Sequence, residues 1–402
     1  MKKQAIILLV VSGFIYMSIG GIILKFHYEE YLNGNFDVSE QIINSAISQV
    51  RTNLERAELY NILVVQYTVD AKCLASIKVG REALKELGIS LPDSNLDAEL
   101  QADFQRVSDL LDGREISSLE NLPQMQDAEK IIASKILMNL DPATYIAQAE
   151  LYPIVCLKLV ALSLRYGNIS ESAKGYSNYG ILLGSVLQNY KSGYEFGLLG
   201  VNVSNKFNNP SLKCKTYFLL SSFINHWFKH IKLTNKLFDE AYQFGLDAGE
   251  LQFTGYTLFG KALNLFNQGI NLIDISSELP VLLEFNFKTK NQAMVDTLTA
   301  YDLILHNLCG MTASRSEFST SEISDKDYLQ RCQTNQSWIA ICCYQIMKSQ
   351  TCFIYGEYQE SLNCLLSAKE YLPYVMGFFV TAVHNLYYSL NLIQIYAIET
   401  RE

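Results

Sequence analysis

The sequence predicts an all-α fold: a right-handed superhelix of degenerate helical hairpins, with an apolar helix at its N-terminus. Three observations predict it. Past residue 25, apolar residues recur mainly at i, i+3, i+4 and i+7, and long segments lack strand-like alternation. Only 7 prolines interrupt the 402 residues. Small residues recur at helix-packing spacing, as in hairpins that must stack on neighbours to bury their apolar faces. With 49% hydrophobic and 18% charged residues, the chain has enough apolar material to fold rather than stay disordered.

The elements follow in order. Residues 5–24, "AIILLVVSGFIYMSIGGIIL", are twenty residues without a charge, preceded by Lys2 and Lys3. At about 1.5 Å per residue they reach the thickness of a hydrocarbon core. Residues 1–25 are therefore expected to anchor the chain in a membrane by a single span, with the helical array in the cytoplasm. A signal peptide cut near Ser18, Ile19 and Gly20 and a buried first helix are the alternatives. Lys2 and Lys3 would keep the N-terminus cytoplasmic and export the rest. That conflicts with nine unpaired cysteines.

Residues 26–311 read as helical repeats, 312–327 as a Ser-rich charged loop, and 328–402 as further repeats. Leu59, Ile62, Leu63 and Tyr67 mark one helix, and Leu74, Ile77, Ala83, Leu84 and Leu87 the next. They meet near residues 70–72, and Gly88 with Pro92 closes the pair. The clearest hairpin is 354–373, "IYGEYQESLNCLLSAKEYLP". There Gly356 turns the chain, Tyr358 opens the second helix, Ser361 and Ala368 are small, Leu365 packs between them and Pro373 ends it. Gly34, Phe36, Ser39, Ile43 and Ala46 repeat these positions. Gly167, Ile169, Ser172, Tyr176 and Tyr179 do so imperfectly, and Leu63, Tyr67, Ser76 and Ala83 fit as well. Small residues let helices approach while larger ones fill the gaps, the tetratricopeptide pattern in degenerate form.

Chemical motifs are few. Net charge is −9 with scattered cations, which argues against nucleic-acid partners. The cysteines lie in apolar helical runs and form no C-x-x-C pair, so neither a disulfide framework nor zinc is expected. "GYTLFGKA", residues 255–262, approaches a phosphate loop, G-x-x-x-x-G-K. Such a loop needs a preceding strand and a Ser or Thr after the Lys to bind magnesium, but Ala262 stands there. The expected reading is a helix with glycines at close packing points.

His226 and His230 are expected at i and i+4 on one helix face, without a third ligand. With five His in the chain and no G-x-S-x-G, no catalytic residue, metal or cofactor is assigned. Gly193, Gly197 and Gly200 form a stripe expected at a helix–helix contact, with a ligand approach as the alternative. Tyr176, Tyr179 and Tyr194, with His226 and Trp227, are the candidate interaction surface. For the tyrosines, packing between repeats is the competing reading.

Several segments carry a resemblance: "YLNGNF" (31–36), "RTNLERAELYNILVVQYT" (51–68), "MNLDPATYIAQAELYP" (138–153), "LVALSLRYGNISESAKGYSNYG" (159–180), His226 with Trp227, and "EAYQFGLDAGE" (240–250). Together they resemble the helical region of large bacterial hybrid signalling proteins, across roughly residues 31–392. Those proteins join a serine/threonine kinase, a STAND-type ATPase, a tetratricopeptide-like region, and GAF and histidine kinase domains. The kinase, ATPase and sensor parts have no counterpart here, so no catalytic residue transfers. The resemblance implies a non-enzymatic relay or interaction module, a detached fragment or free-standing adaptor, whose partner is a protein such as a kinase or ATPase domain. A ligand-sensing helical domain is the second expectation.

Overall fold

The computed structural model describes residues 27, 29–31 and 35–400. The apolar segment 5–24, and with it the expected membrane anchor, lies outside them. Among the described residues the chain is helical with no strand, and no helix is long and apolar enough to cross a membrane. The chain divides into two compact units, residues 1–216 with 247–249 and residues 217–246 with 250–402.

Unit one contains α1 (Phe36–Ile47), α2 (Asn53–Val69), α3 (Cys73–Glu86), α4 (Leu96–Leu111), α5 (Ala128–Ala147), α6 (Tyr152–Tyr166), α7 (Ser172–Ile181) and α8 (Tyr190–Lys206). Local sequence explains the boundaries. Thr52 caps α2 through the amide of Glu55, and the Glu55 carboxylate accepts the Thr52 amide in return. α3 ends before Gly88, whose φ of +74° suits a residue without a Cβ. Ala57, Leu84, Ile136, Leu137 and Leu140 are fully buried where α2, α3 and α5 meet. The second centre joins α6, α7 and α8 around Leu157, Val160, Tyr176 and Phe196.

The turn after α6 is fixed from outside. Gly167 has φ +104°, and a Cβ there would sit 2.2 Å from the Pro123 carbonyl oxygen. The 122–126 segment lies against it, bonded through Asn168 N to Pro123 O (2.8 Å) and Met125 N to Asn168 O (3.0 Å).

The glycine stripe of α8 packs on α7. A Cβ on Gly200 would lie 2.1 Å from Ser177 Oγ and 2.7 Å from the Ala173 carbonyl oxygen; one on Gly193 would lie 2.8 Å from the Gly180 carbonyl oxygen. Backbone atoms cannot swing aside. Gly200→Ala gains about 1 kcal/mol of helix propensity but incurs about 1–3 kcal/mol of overpacking. A net loss of about 1 kcal/mol is expected in a thermal melt. Gly184→Ala, with no neighbour within 4 Å, is the control.

Unit two contains the C-terminal end of α9 (Pro210–Leu219), which continues through a wide π-turn (Leu220–Ile224) into a short 3-10 turn (Asn225–Trp227). It then has α10 (Thr234–Ala248), α11 (Leu251–Asn267), α12 (Leu272–Lys288), α13 (Gln292–Leu308), α14 (Asp325–Thr334), α15 (Trp338–Ile354), α16 (Tyr358–Ala368) and α17 (Val380–Glu399). α13, α14 and α15 share a core of Leu298, Tyr301, Leu305, Tyr328, Ile341 and Tyr344. The non-helical stretch before α14 is gathered by buried Asn307, whose Nδ2 donates to the carbonyls of Glu317 (2.7 Å) and Arg315 (3.1 Å).

Gly356 turns α15 into α16 with φ +84°. Ser349 and Ser361 hydroxyls meet at 2.8 Å, and Leu365 and Ala368 are fully buried. Pro373 does not end α16, as the sequence suggested. The α-helix stops at Ala368, and a 3-10 turn, Lys369–Val375, carries Pro373 inside it.

Candidate functional site

The five candidate surface residues divide between the units. Tyr176, Tyr179 and Tyr194 belong to unit one; His226 and Trp227 belong to unit two. Tyr176 is fully buried, and its hydroxyl donates to Asn168 Oδ1 at 2.8 Å. Asn168 Nδ2 in turn donates to the Leu119 carbonyl, so this tyrosine braces the turn after α6. Tyr179 is 5% exposed and meets Phe196 edge-on, with ring centroids 4.8 Å apart. Burial pushes its phenol up to about 12. These two rings are core, not contact surface. Helical spacing places a ring on a face but does not say which face a neighbouring helix covers. Tyr194 keeps part of its surface accessible.

His226 and Trp227 converge on one atom. His226 Nε2 and Trp227 Nε1 both lie 3.0 Å from the Gly377 carbonyl oxygen, each positioned to donate. The turn that carries Gly377 supplies Phe378 and Phe379. Phe378 packs on Phe223 with centroids 4.2 Å apart, and Phe379 meets His226 edge-on at 5.7 Å. The residue as a whole is half-buried. Even so, burial holds it down to about 4, although the Gly377 and Ser221 carbonyls beside it pull the other way. His226 is therefore a neutral donor at neutral pH.

The expected histidine pair does not form a helix face. The 3-10 turn stops at Trp227, Phe228 leaves helical geometry at φ −130°, and exposed His230 caps the next turn through its Nδ1. Among the described residues no three or more His, Cys, Asp or Glu side chains gather as a metal site would require.

The "GYTLFGKA" stretch lies inside α11. A Cβ on Gly255 would lie 2.2 Å from Asn286 Oδ1, and one on Gly260 2.8 Å from the Phe238 ring. Lys261 pairs with Asp239 at 2.7 Å. The amides here are spent on helix bonds, so nothing cradles a phosphate.

Charged residues inside apolar helix faces form the polar sites that sequence reasoning passed over. Lys158, 7% exposed, bonds Glu99 Oε1 (2.6 Å) and reaches Asp103 Oδ2 (2.9 Å), joining α4 to α6. Burial still pushes the Asp103 carboxyl up, against the pull of Lys158 and Arg106. Lys174 pairs with Asp141, whose other oxygen accepts from Asn178 at 3.0 Å. Asp296, fully buried on α13, accepts from Gln292 (2.9 Å), Asn335 (2.9 Å) and Ser337 (2.6 Å), with Arg331 Nε 3.1 Å away. A lysine inside "IVCLKLV" was the visible signal for the first of these sites. These buried pairs tie α4 to α6, α5 to α7, and α13 to α14 and the turn that follows it.

A hydroxyl–imidazole pair also exists, Ser39 Oγ with His27 Nδ1 at 2.6 Å. Ser39 is fully buried and its hydroxyl donates to Gln66 Oε1 at 2.9 Å, so it is not placed to attack a substrate. Eight of the nine cysteines are buried. Burial pushes the Cys332 thiol up to about 11 and that of Cys342 to about 12, which removes reactive thiolate.

Unit one carries an open groove of about 440 Å³ between the 3-10 turn Ile116–Asn121 and α8. Ile116, Ser117, Lys191, Glu195, Leu198 and Asn202 line it. It is separate from the Gly193 stripe, whose face α7 fills.

No family model matches the chain. Hybrid signal transduction histidine kinase G of Dictyostelium discoideum is similar to it, with 21% identity over 277 residues. The match covers 64% of this chain and 8% of that protein. The chain therefore has a distant relationship to a signalling protein, through a helical region. The match supports a relationship to a signalling protein and does not extend to the bacterial, STAND-type or tetratricopeptide-like details of the resemblance.

Proposed function

We propose that this chain is a non-enzymatic interaction and relay module of a kinase-linked signalling system. It is a tetratricopeptide-like superhelix whose protein partner is a kinase or ATPase domain. Residues 5–24 tether it to a membrane, with the helices in the cytoplasm. The observation that carries this reading is the similarity to a stretch of a hybrid histidine kinase. Tyr194, His226 and Trp227, which keep accessible surface, remain candidates for the contact.

The test is affinity purification of the tagged full chain, followed by cross-linking and an ATP turnover assay. The expected result is a cross-linked partner with a kinase or ATPase domain, and no turnover by the chain alone. Turnover that is lost on Lys261→Ala would overturn the reading. A second reading, a small-molecule sensor, rests on the groove beside α8. A metabolite that raises the melting temperature by several degrees, with no protein partner recovered, would favour it.

A further inference from the structure

Two thiols meet inside the hairpin of α15 and α16. Cys352 on α15 is 3% exposed and Cys364 on α16 is 4% exposed. The hairpin is pinned beside them. Ser349 and Ser361, each three residues earlier on its helix, bring their hydroxyls to 2.8 Å, and Ser361 Oγ donates to the Ser349 carbonyl oxygen at 2.8 Å. Residues three apart share a helix face, so the two cysteines lie on the faces that meet. Their thiols share a hydrogen bond.

The two sulfurs are not alike. The hydrogen bond from Cys364 holds the Cys352 thiol below its ordinary range, helped by the Lys348 ammonium and opposed by burial and the carboxylates of Glu360 and Glu357. The same bond and burial push the Cys364 thiol up, and Glu360, with Oε1 3.9 Å from Cys364 Sγ, adds to this. Lys348 is itself held in place by Asp325 at 2.7 Å. A thiolate beside a fixed ammonium is the reactive form of cysteine. Glu360 is exposed, so solvent reaches the edge of the pair.

We propose that Cys352 and Cys364 are a peroxide-sensitive dithiol, in which Cys352 is oxidised first and Cys364 resolves it. The Cys352 thiolate attacks one oxygen of a hydroperoxide. The O–O bond breaks, leaving a sulfenic acid on Cys352, and the departing oxygen takes up a proton as water or an alcohol. Cys364 then gives up its proton and attacks the Cys352 sulfur. The S–O bond breaks, water leaves and an S–S bond forms. Two thiols lose two electrons, and the peroxide gains them. The new bond fastens α15 to α16 across the turn at Gly356, and a dithiol reductant reverses it.

The experiment treats the folded full chain with hydrogen peroxide, blocks remaining thiols with an alkylating reagent in denaturant, and digests with trypsin. Both cysteines fall in one tryptic peptide, 349–369, while Cys332, Cys342 and Cys343 fall in its neighbour, 332–348. Peptide 349–369 is expected to lose alkylation at both cysteines and to carry an internal disulfide, at peroxide doses that leave 332–348 fully alkylated. Dithiothreitol should restore it. In Cys364→Ser, oxidation of Cys352 should stop at the sulfenic acid, which dimedone captures. Full alkylation of 349–369 in the wild-type chain after peroxide would overturn the proposal. So would equal oxidation of the two peptides, because oxidation would then follow unfolding rather than the pair. A sulfinic or sulfonic acid on Cys352 beside an intact Cys364 thiol would overturn the resolving role.

Discussion

Asp296→Ala is expected to destabilise unit two by about 3–5 kcal/mol, the typical cost of breaking a buried pair from one side. The carboxylate is fully buried and is the common acceptor for Gln292, Asn335 and Ser337, with Arg331 Nε 3.1 Å away. Its removal strands the buried Ser337 hydroxyl at the junction of α13 with the turn between α14 and α15, whereas exposed Gln292 and Asn335 can turn to water. The Arg331 side chain is 36% exposed, so water relieves part of the loss and the lower end of the range is expected. Both tryptophans, Trp227 and Trp338, lie in unit two, so intrinsic fluorescence in urea follows that unit. Asp296→Asn keeps the shape and should lose less. An unchanged urea midpoint in Asp296→Ala would show that the carboxylate does not hold the junction.

Acidification supplies the second large effect. His226 titrates near 4 in the fold against 6.5 for a free imidazole. Below pH 6.5 the unfolded chain takes up the proton first. The contribution is thus complete above pH 6.5, is lost as pH falls towards 4, and levels off below it. At 1.36 kcal/mol per pH unit this amounts to about 3 kcal/mol. Other groups titrate in the same window, so the measurement is the difference between the wild-type chain and His226→Gln. The wild-type midpoint should fall more steeply between pH 6.5 and 4. Parallel curves would mean that His226 is not held neutral by the fold.

Much of the helical organisation was legible because it rests on spacing. Ser361, Leu365 and Ala368 are buried where the period placed them, and Gly88 and Gly356 adopt the positive φ expected at turns. Gly193 and Gly200 mark a close helix approach because glycine in a helix is costly unless a neighbour fills its side. The candidate surface was less legible. Period gives a face, but Tyr176 and Tyr179 needed a second helix, α8, to show that their face is covered. The His226–Trp227 pair depends on Gly377, some 150 positions later, which no local pattern announces. Sequence analysis passed over Asp296, because Arg331, Asn335 and Ser337 lie on the far side of a loop from it.

The shared Gly377 carbonyl bears on how the protein folds. In a repeat array in which each hairpin touches only its neighbours, stability is nearly a sum of local terms, and the ends can fray independently. A contact that joins positions 226 and 227 to 377 closes most of unit two into one loop. Its entropy must be met before the bond forms, which slows folding relative to a purely local array. Once closed, hairpins at the two extremes of the unit stand or fall together. Unit two should therefore open as a single cooperative block rather than peel away repeat by repeat.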